Sequence, residues 1–109
     1  MNQVTLLGRL TKDFKAMKSG DTKIALGTLA INRPFAKDGQ QQADFINIKA
    51  FNKTAQTLVK YVKKGQRILI NGTIQTGSYE KDGKTVYTTD VLVNGFEFIE
   101  TKEKEELPF

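Results

Sequence analysis

The chain has 109 residues, with neither cysteine nor histidine and a formal charge of +5. That length makes one domain with one core. The missing residue types exclude disulfides, thiolate metal sites and the commonest general base, and no apolar run approaches the roughly 20 residues needed to span a bilayer.

Residues 2–12 predict a first strand, with Val4, Leu6 and Leu10 on one face and Gly8 between them. A glycine inside a strand marks a bend or a close backbone approach. Residues 15–22 are polar and contain the turn signal Ser19-Gly20-Asp21. Residues 23–33 predict a second strand with apolar residues on both faces. Lys37-Asp38-Gly39-Gln40 marks a hairpin loop before a third strand over 44–51.

That third strand carries the main signal. Ile46, Ile48 and Ala50 alternate with Phe45, Asn47, Lys49 and Phe51. The first set is a core face. The second is not, because Asn47 and Lys49 would be buried without evident partners. Two phenylalanines flanking a lysine on a wet face suit a flat, anionic ligand such as bases on a phosphate backbone.

Residues 52–65 predict the one helix. Asn52 is its expected N-cap, Ala55, Leu58, Val59 and Val62 form its apolar stripe, and Lys60, Lys63 and Lys64 suit its C-terminal end. Gly65 fits the left-handed position beyond it. A fourth strand follows over 66–76, with Ile68, Ile70 and Ile74 on one face and Arg67, Asn71, Thr73 and Gln75 on the other. A turn at Lys81-Asp82-Gly83-Lys84 leads into strands over 85–93 and 95–99. There is no βαβ repeat. Three strands, one helix and a closing set of strands match an all-β OB-fold, a five-stranded Greek-key barrel with one α-helix after strand three and a protruding β-hairpin.

Two further aromatics belong with Phe45 and Phe51. Phe35 follows Arg33-Pro34 before a basic loop. Tyr79 shares parity with Thr73 and Gln75 if the fourth strand runs on past Gly77. Each aromatic alone fits a core position as well. Phe14, Phe96 and Phe98 lack cationic surroundings, and Phe96 and Phe98, or one of them, are expected as core or closure contacts. The neighbouring cations are Arg33, Lys37, Lys49, Lys53, Arg67, Lys81 and Lys84. Singly each is an ordinary solvated charge; as a group they could follow phosphates. Asp44 and Asp90 are structural or pair with a lysine. No Walker loop or catalytic spacing occurs, so no enzyme, metal or cofactor is expected.

Residues 1–99 carry a balance of +7, and residues 100–109 carry −2. The expected organisation is a domain over 1–100 and an acidic tail over 101–109. The tail ends in Glu105-Glu106-Leu107-Pro108-Phe109, which suits a basic pocket with an apolar floor. The bland alternative is a chain end with no role.

The stretches 1–13, 29–35, 43–47, 61–65 and 71–76, with the terminal Leu107-Pro108-Phe109, resemble the bacterial and bacteriophage single-stranded DNA-binding proteins. The resemblance covers residues 1–100 and the tip. It implies an OB-fold, usually a homotetramer, with a dimer as the alternative, that coats single-stranded DNA without base preference during replication, recombination and repair. By matching position, Phe35, Phe45, Phe51 and Tyr79 resemble the family's base-stacking aromatics, and the tip resembles its docking peptide for partner enzymes. The segment after Asp13 lacks the usual proline, Gly77 stands where a basic residue is common, and the long linker before the tip is absent. A phage-encoded or otherwise minimal cytoplasmic member is the expectation. The rivals are an RNA-binding OB module and a protein adaptor without nucleic-acid binding.

Overall fold

The computed structural model describes residues 1–34 and 42–99. The expected loop at 37–40, with Phe35 and Lys37, lies outside the described residues, as does the tail. The elements run β1 (Val4–Leu10), β2 (Lys15–Ser19), β3 (Thr22–Asn32), β4 (Ala43–Phe51), α1 (Asn52–Tyr61), β5 (Arg67–Lys81) and β6 (Lys84–Phe98).

The sheet order is β1-β5-β6-β4-β3-β2, and β1 also pairs with β3 through Arg9↔Ala30 and Leu10↔Leu29. That pairing closes a five-stranded barrel, β1-β5-β6-β4-β3, with β2 left as an outer strand on β3. Among the described residues only β4 and β6 run parallel, at Ile48↔Val91 and Lys49↔Leu92. This is the OB-fold. The helix follows the fourth strand in chain order because residues 15–19, expected as loop, pair with β3 over Lys15↔Leu26 to Ser19↔Thr22. All five are exposed, so main-chain hydrogen bonding makes this strand without any apolar alternation to announce it.

The core alternates as the strands require. Leu10, Ala25, Leu29, Ile48, Ala50, Ile68, Ile70, Val91 and Val93 form the barrel core, joined by Ala55 and Leu58 of α1 and by Val62 just past it. Phe14 is buried over Gly27, where an added Cβ would stand 2.6 Å from its ring. Gly8 makes the close approach expected of it: a Cβ there would meet the Ala30 carbonyl oxygen at 2.5 Å. Phe96 packs on the core and meets Phe98 edge-on, with ring centroids 5.8 Å apart.

Both expected helix ends differ. Asn52 does not cap α1; it sits at φ 52°, and its Oδ1 accepts a hydrogen bond from the Lys23 amide at 3.2 Å. Phe51 is the N-cap and supplies no side-chain bond. The helix stops at Tyr61, four residues before Gly65. Gly65, at φ 88°, serves the following turn, where its amide reaches the Leu10 carbonyl at 2.7 Å. Lys63 and Lys64 therefore lie beyond the helix, and Lys60 is the basic residue of its last turn.

The last two expected strands are one. Asn71 pairs with Gly95 and Gly72 with Val93, so Asn94 is an extra residue in a bulge on an unbroken β6. β5 likewise runs on to Lys81, and the β5–β6 pair leaves the barrel as a two-stranded arm. Its turn at Asp82 (φ 52°) and Gly83 (φ 77°) has the positive φ pair of a type I′ hairpin. Ile74, expected on the core face, is 46% exposed at the arm's base, where it lines an open cavity with Val4, Leu6, Ile46 and Val91.

Candidate nucleic-acid interface

Strand β4 divides as its sequence requires. Ile48 and Ala50 are buried, while Phe45 is 66% exposed and Lys49 and Phe51 are half-buried on the other face. Paired residues share a sheet face, so the register extends that face across the barrel. One row reads Lys15, Leu26, Lys49, Leu92 and Thr73, across β2, β3, β4, β6 and β5. Met17, Ile24 and Phe51 form the next row. Thr28 pairs with Asn47 and Ala30 with Phe45. Phe45 and Phe51 lie six residues apart on one strand, about 20 Å, with Lys49 between them.

A cavity of about 470 Å³ opens on this face, its polar lining made by Thr11, Thr28 and Asn47, the cations Lys12, Lys15 and Lys49, and the carboxylates Asp13 and Asp90. Lys49 Nζ stands 5.9 Å from the centre of the Phe51 ring, within cation–π range. It also faces Asp90 Oδ2 at 3.7 Å, so the expected lysine partner of Asp90 is Lys49. Thr28 Oγ1 and Asn47 Oδ1 are 3.3 Å apart across the strands.

Beyond the end of β3, Arg33 is held by its own chain against Asp44, which pairs with Ile31 and shares the parity of Ile46 and Ile48, on the opposite face of β4 from Phe45. Its Nη2 and Nε donate to Asp44 Oδ1 at 2.7 and 3.2 Å, and its Nη1 donates to Gln42 Oε1 at 3.3 Å. The hydrogen bond from Arg33 lowers the Asp44 carboxyl below the usual carboxylate range, and the same bond raises the guanidinium.

The structure thus brings together Phe45, Lys49 and Phe51, with Lys53 just past Phe51 in the first turn of α1, while Arg33 is held with Asp44 on the other face of β4. Tyr79 is 52% exposed and, because β5 is unbroken, keeps the parity of Thr73 and Gln75. It stands on the arm, about 20 Å along the strand from Thr73. Lys81 and Lys84 face each other at the arm's tip. Arg67 is not gathered with the others. It lies at the opposite end of β5, paired with Arg9, and its Nε is buried without a hydrogen-bond partner. Phe35, Lys37 and Glu105 to Phe109 lie outside the described residues.

The sequence reading passed over Lys12, Lys15 and Tyr87. The two lysines join the site only through the β1–β2 connection and the β2–β3 register. Tyr87 is 79% exposed, yet it pairs with Ser78 while Tyr79 pairs with Val86, which puts the two tyrosines on opposite faces of the arm. Among the described residues no group of three or more acidic side chains could hold a metal ion, and no helix is long and apolar enough to cross a membrane.

A small barrel with an aromatic and cationic outer face over β3, β4 and β6 is an oligonucleotide-binding architecture. The model of the single-strand binding protein family matches residues 1–99, and the chain belongs to that family. It is 48% identical to the single-stranded DNA-binding protein of Clostridium perfringens over 104 residues, covering 93% of this chain and 67% of the relative. It is 44% identical to single-stranded DNA-binding protein 3 of Clostridium acetobutylicum, covering 92% and 72%. Single-stranded DNA-binding protein 2 of Streptococcus agalactiae aligns over 129 positions at 36% identity, covering 99% of this chain and 98% of the relative. The relative therefore carries inserted residues that this chain lacks.

Proposed function

We propose that the chain is a non-enzymatic coat for single-stranded DNA, binding without base preference during replication, recombination and repair. The observation that carries this is the β4 face, where an exposed Phe45 and a half-buried Phe51 flank Lys49. Bases stack on the rings, and any base will do because every base has a π-face. Lys12, Lys15, Lys49 and Lys53 neutralise phosphates along the same path, with Tyr79, Lys81 and Lys84 taking up the strand on the arm. Phe35 and Lys37 extend the path from the β3–β4 connection. Arg33 joins when a phosphate displaces Asp44, and Arg67, at the far end of β5, meets only a strand that wraps past β1.

Titration with oligo-dT tests the reading. Affinity should fall steeply with salt and exceed that for duplex DNA of the same length. Equal or tighter duplex binding overturns it, and tighter binding to matched RNA returns it to the RNA rival. Phe45→Ala should weaken oligo-dT binding by roughly 1–3 kcal/mol; an unchanged affinity removes Phe45 from the site.

The assembly proposed is a homotetramer in the cytoplasm, supported by exposed apolar side chains on the barrel such as Leu7 and Ile74. Mass measurement with and without oligo-dT checks it. The acidic tip, Glu105 to Phe109, recruits partner enzymes; deleting Leu107, Pro108 and Phe109 should spare DNA binding and abolish recruitment.

A further inference from the structure

The β4 face is not cationic throughout. Asp90 stands on β6 beside Lys49, and the two side chains, 22% and 28% exposed, meet at 3.7 Å. The register sets them in an ordered field. Lys15 lies on the β2 side of Lys49 in the same cross-strand row, and Lys12 lines the same cavity. On the other side, the face of β5 and β6 that carries Asp90 continues through Thr73, Gln75, Thr88 and Val86. Among the described residues no cation follows there until Lys81 and Lys84 at the arm's tip. Asp13, the cavity's other carboxylate, accepts a hydrogen bond from the Lys64 amide at 2.8 Å. The platform is therefore positive toward β2 and negative toward β6, with Lys49 on the divide.

We infer that Asp90 is a specificity-determining residue that keeps duplex DNA off the platform. The inference rests on the reading of the β4 face as the single-stranded DNA site. A single strand has one backbone. It can turn its bases to Phe45 and Phe51 and run its phosphates along the β2 side, over Lys12, Lys15 and the near side of Lys49. A duplex keeps its bases inside and has two backbones. With one of them on the lysines, the other stands across a groove about 6 to 12 Å wide. Lys15 and Asp90 lie on strands three spacings apart in the sheet order, about 14 Å. The second backbone therefore comes down toward Asp90, where no free cation waits to neutralise it. A phosphate that takes Lys49 from the β6 side fares no better. It strips Asp90 of its partner and leaves two anions side by side in a largely buried site, a juxtaposition that suppresses wrong partners at interfaces. The single strand avoids both costs.

The test is the ratio of oligo-dT affinity to the affinity for duplex DNA of the same length, measured with the full chain at one fixed salt concentration. Asp90→Asn keeps the shape and removes the charge. It should raise duplex affinity about tenfold, less than a full like-charge juxtaposition costs because salt screens an open site. Oligo-dT affinity should rise by no more than about twofold, so the ratio falls. Asp90→Glu restores the charge and should restore the wild-type ratio. Gln75→Glu, at the exposed position paired with Asp90, adds a second carboxylate and should move the ratio the other way. A ratio unchanged by Asp90→Asn, an equal gain for both ligands, or a loss for both would each overturn the inference, the last by showing that Asp90 serves only to hold Lys49. Wild-type protein that does not prefer oligo-dT overturns the DNA reading and the inference with it. Wild-type preference that survives Asp90→Asn intact overturns the inference alone.

Discussion

Arg33 is engaged before any ligand arrives. Its two bonds to Asp44 Oδ1 fix the guanidinium beside the start of β4, on the face opposite Phe45 and Lys49. A phosphate must compete with that carboxylate. Asp44→Asn removes the competing charge and frees one cation, so the slope of log affinity against log salt for oligo-dT should steepen by about 0.7. An unchanged slope would show that Arg33 never reaches the strand. The pH dependence has a definite sign. Asp44 titrates below its ordinary value in the folded chain because Arg33 donates to it, so the pair's contribution to stability is whole above the unfolded carboxylate pKa of about 3.9. It is lost as pH falls through the lower folded value. Asp44→Asn should therefore flatten the pH dependence of urea stability only on the acid side of that window, and a change confined to neutral pH would refute the assignment. At this scale the sequence was informative about faces and silent about partners. Alternation alone put Phe45, Lys49 and Phe51 together because β4 carries no bulge. That Asp90 answers Lys49 and Asp44 answers Arg33 depends on cross-strand geometry, which no local pattern encodes.

Among the elements, β5 and β6 show what a single backbone position can decide. The bulge at Asn94 brings the Leu92 carbonyl against Gly72, where a Cβ would lie only 1.9 Å from the oxygen. Backbone on both sides leaves nothing to yield. Gly72→Ala should thus be among the exceptional single substitutions, losing roughly 4 kcal/mol or more in urea unfolding. Gly77→Ala, whose Cβ would meet only the Thr88 hydroxyl at 3.2 Å, should stay within about 1 kcal/mol. Comparable midpoints for the two variants would contradict the bulge geometry. The same bulge made one strand read as two, since Asn94-Gly95 has the composition of a turn. The helix shows the converse. Its apolar stripe fixed its place, but asparagine and glycine at its expected ends serve other bonds. Asn52 holds the Lys23 amide and Gly65 meets the Leu10 carbonyl. Capping chemistry and left-handed turn chemistry use the same residues, so composition could not separate them.

The molecule as a whole is longer than a closed barrel of this size requires, with extents of 56, 37 and 29 Å. The β5–β6 arm accounts for an elongated shape, and strand order with one helix was enough to read the barrel from which it projects. How far the arm extends was not legible, because Gly77 could as well have ended β5 as continued it. The arm divides the proposed DNA path in two. Phe45, Lys49 and Phe51 form a compact platform on the barrel, while Lys81 and Lys84 stand at the tip, about 20 Å along the strand from Gln75. An oligonucleotide just long enough to cover the platform cannot also touch the tip. A longer one can, and each phosphate it neutralises there adds about 0.7 to the salt slope. Replacing both Lys81 and Lys84 by Gln should then leave short oligo-dT unaffected in affinity and slope. For long oligo-dT the slope should drop by about 1.4, one increment per lysine. Measuring both lengths in one salt series separates the two parts of the path. A loss shared by short and long strands would mean that the arm folds back onto the platform, and a loss in neither would remove the arm from the DNA path altogether.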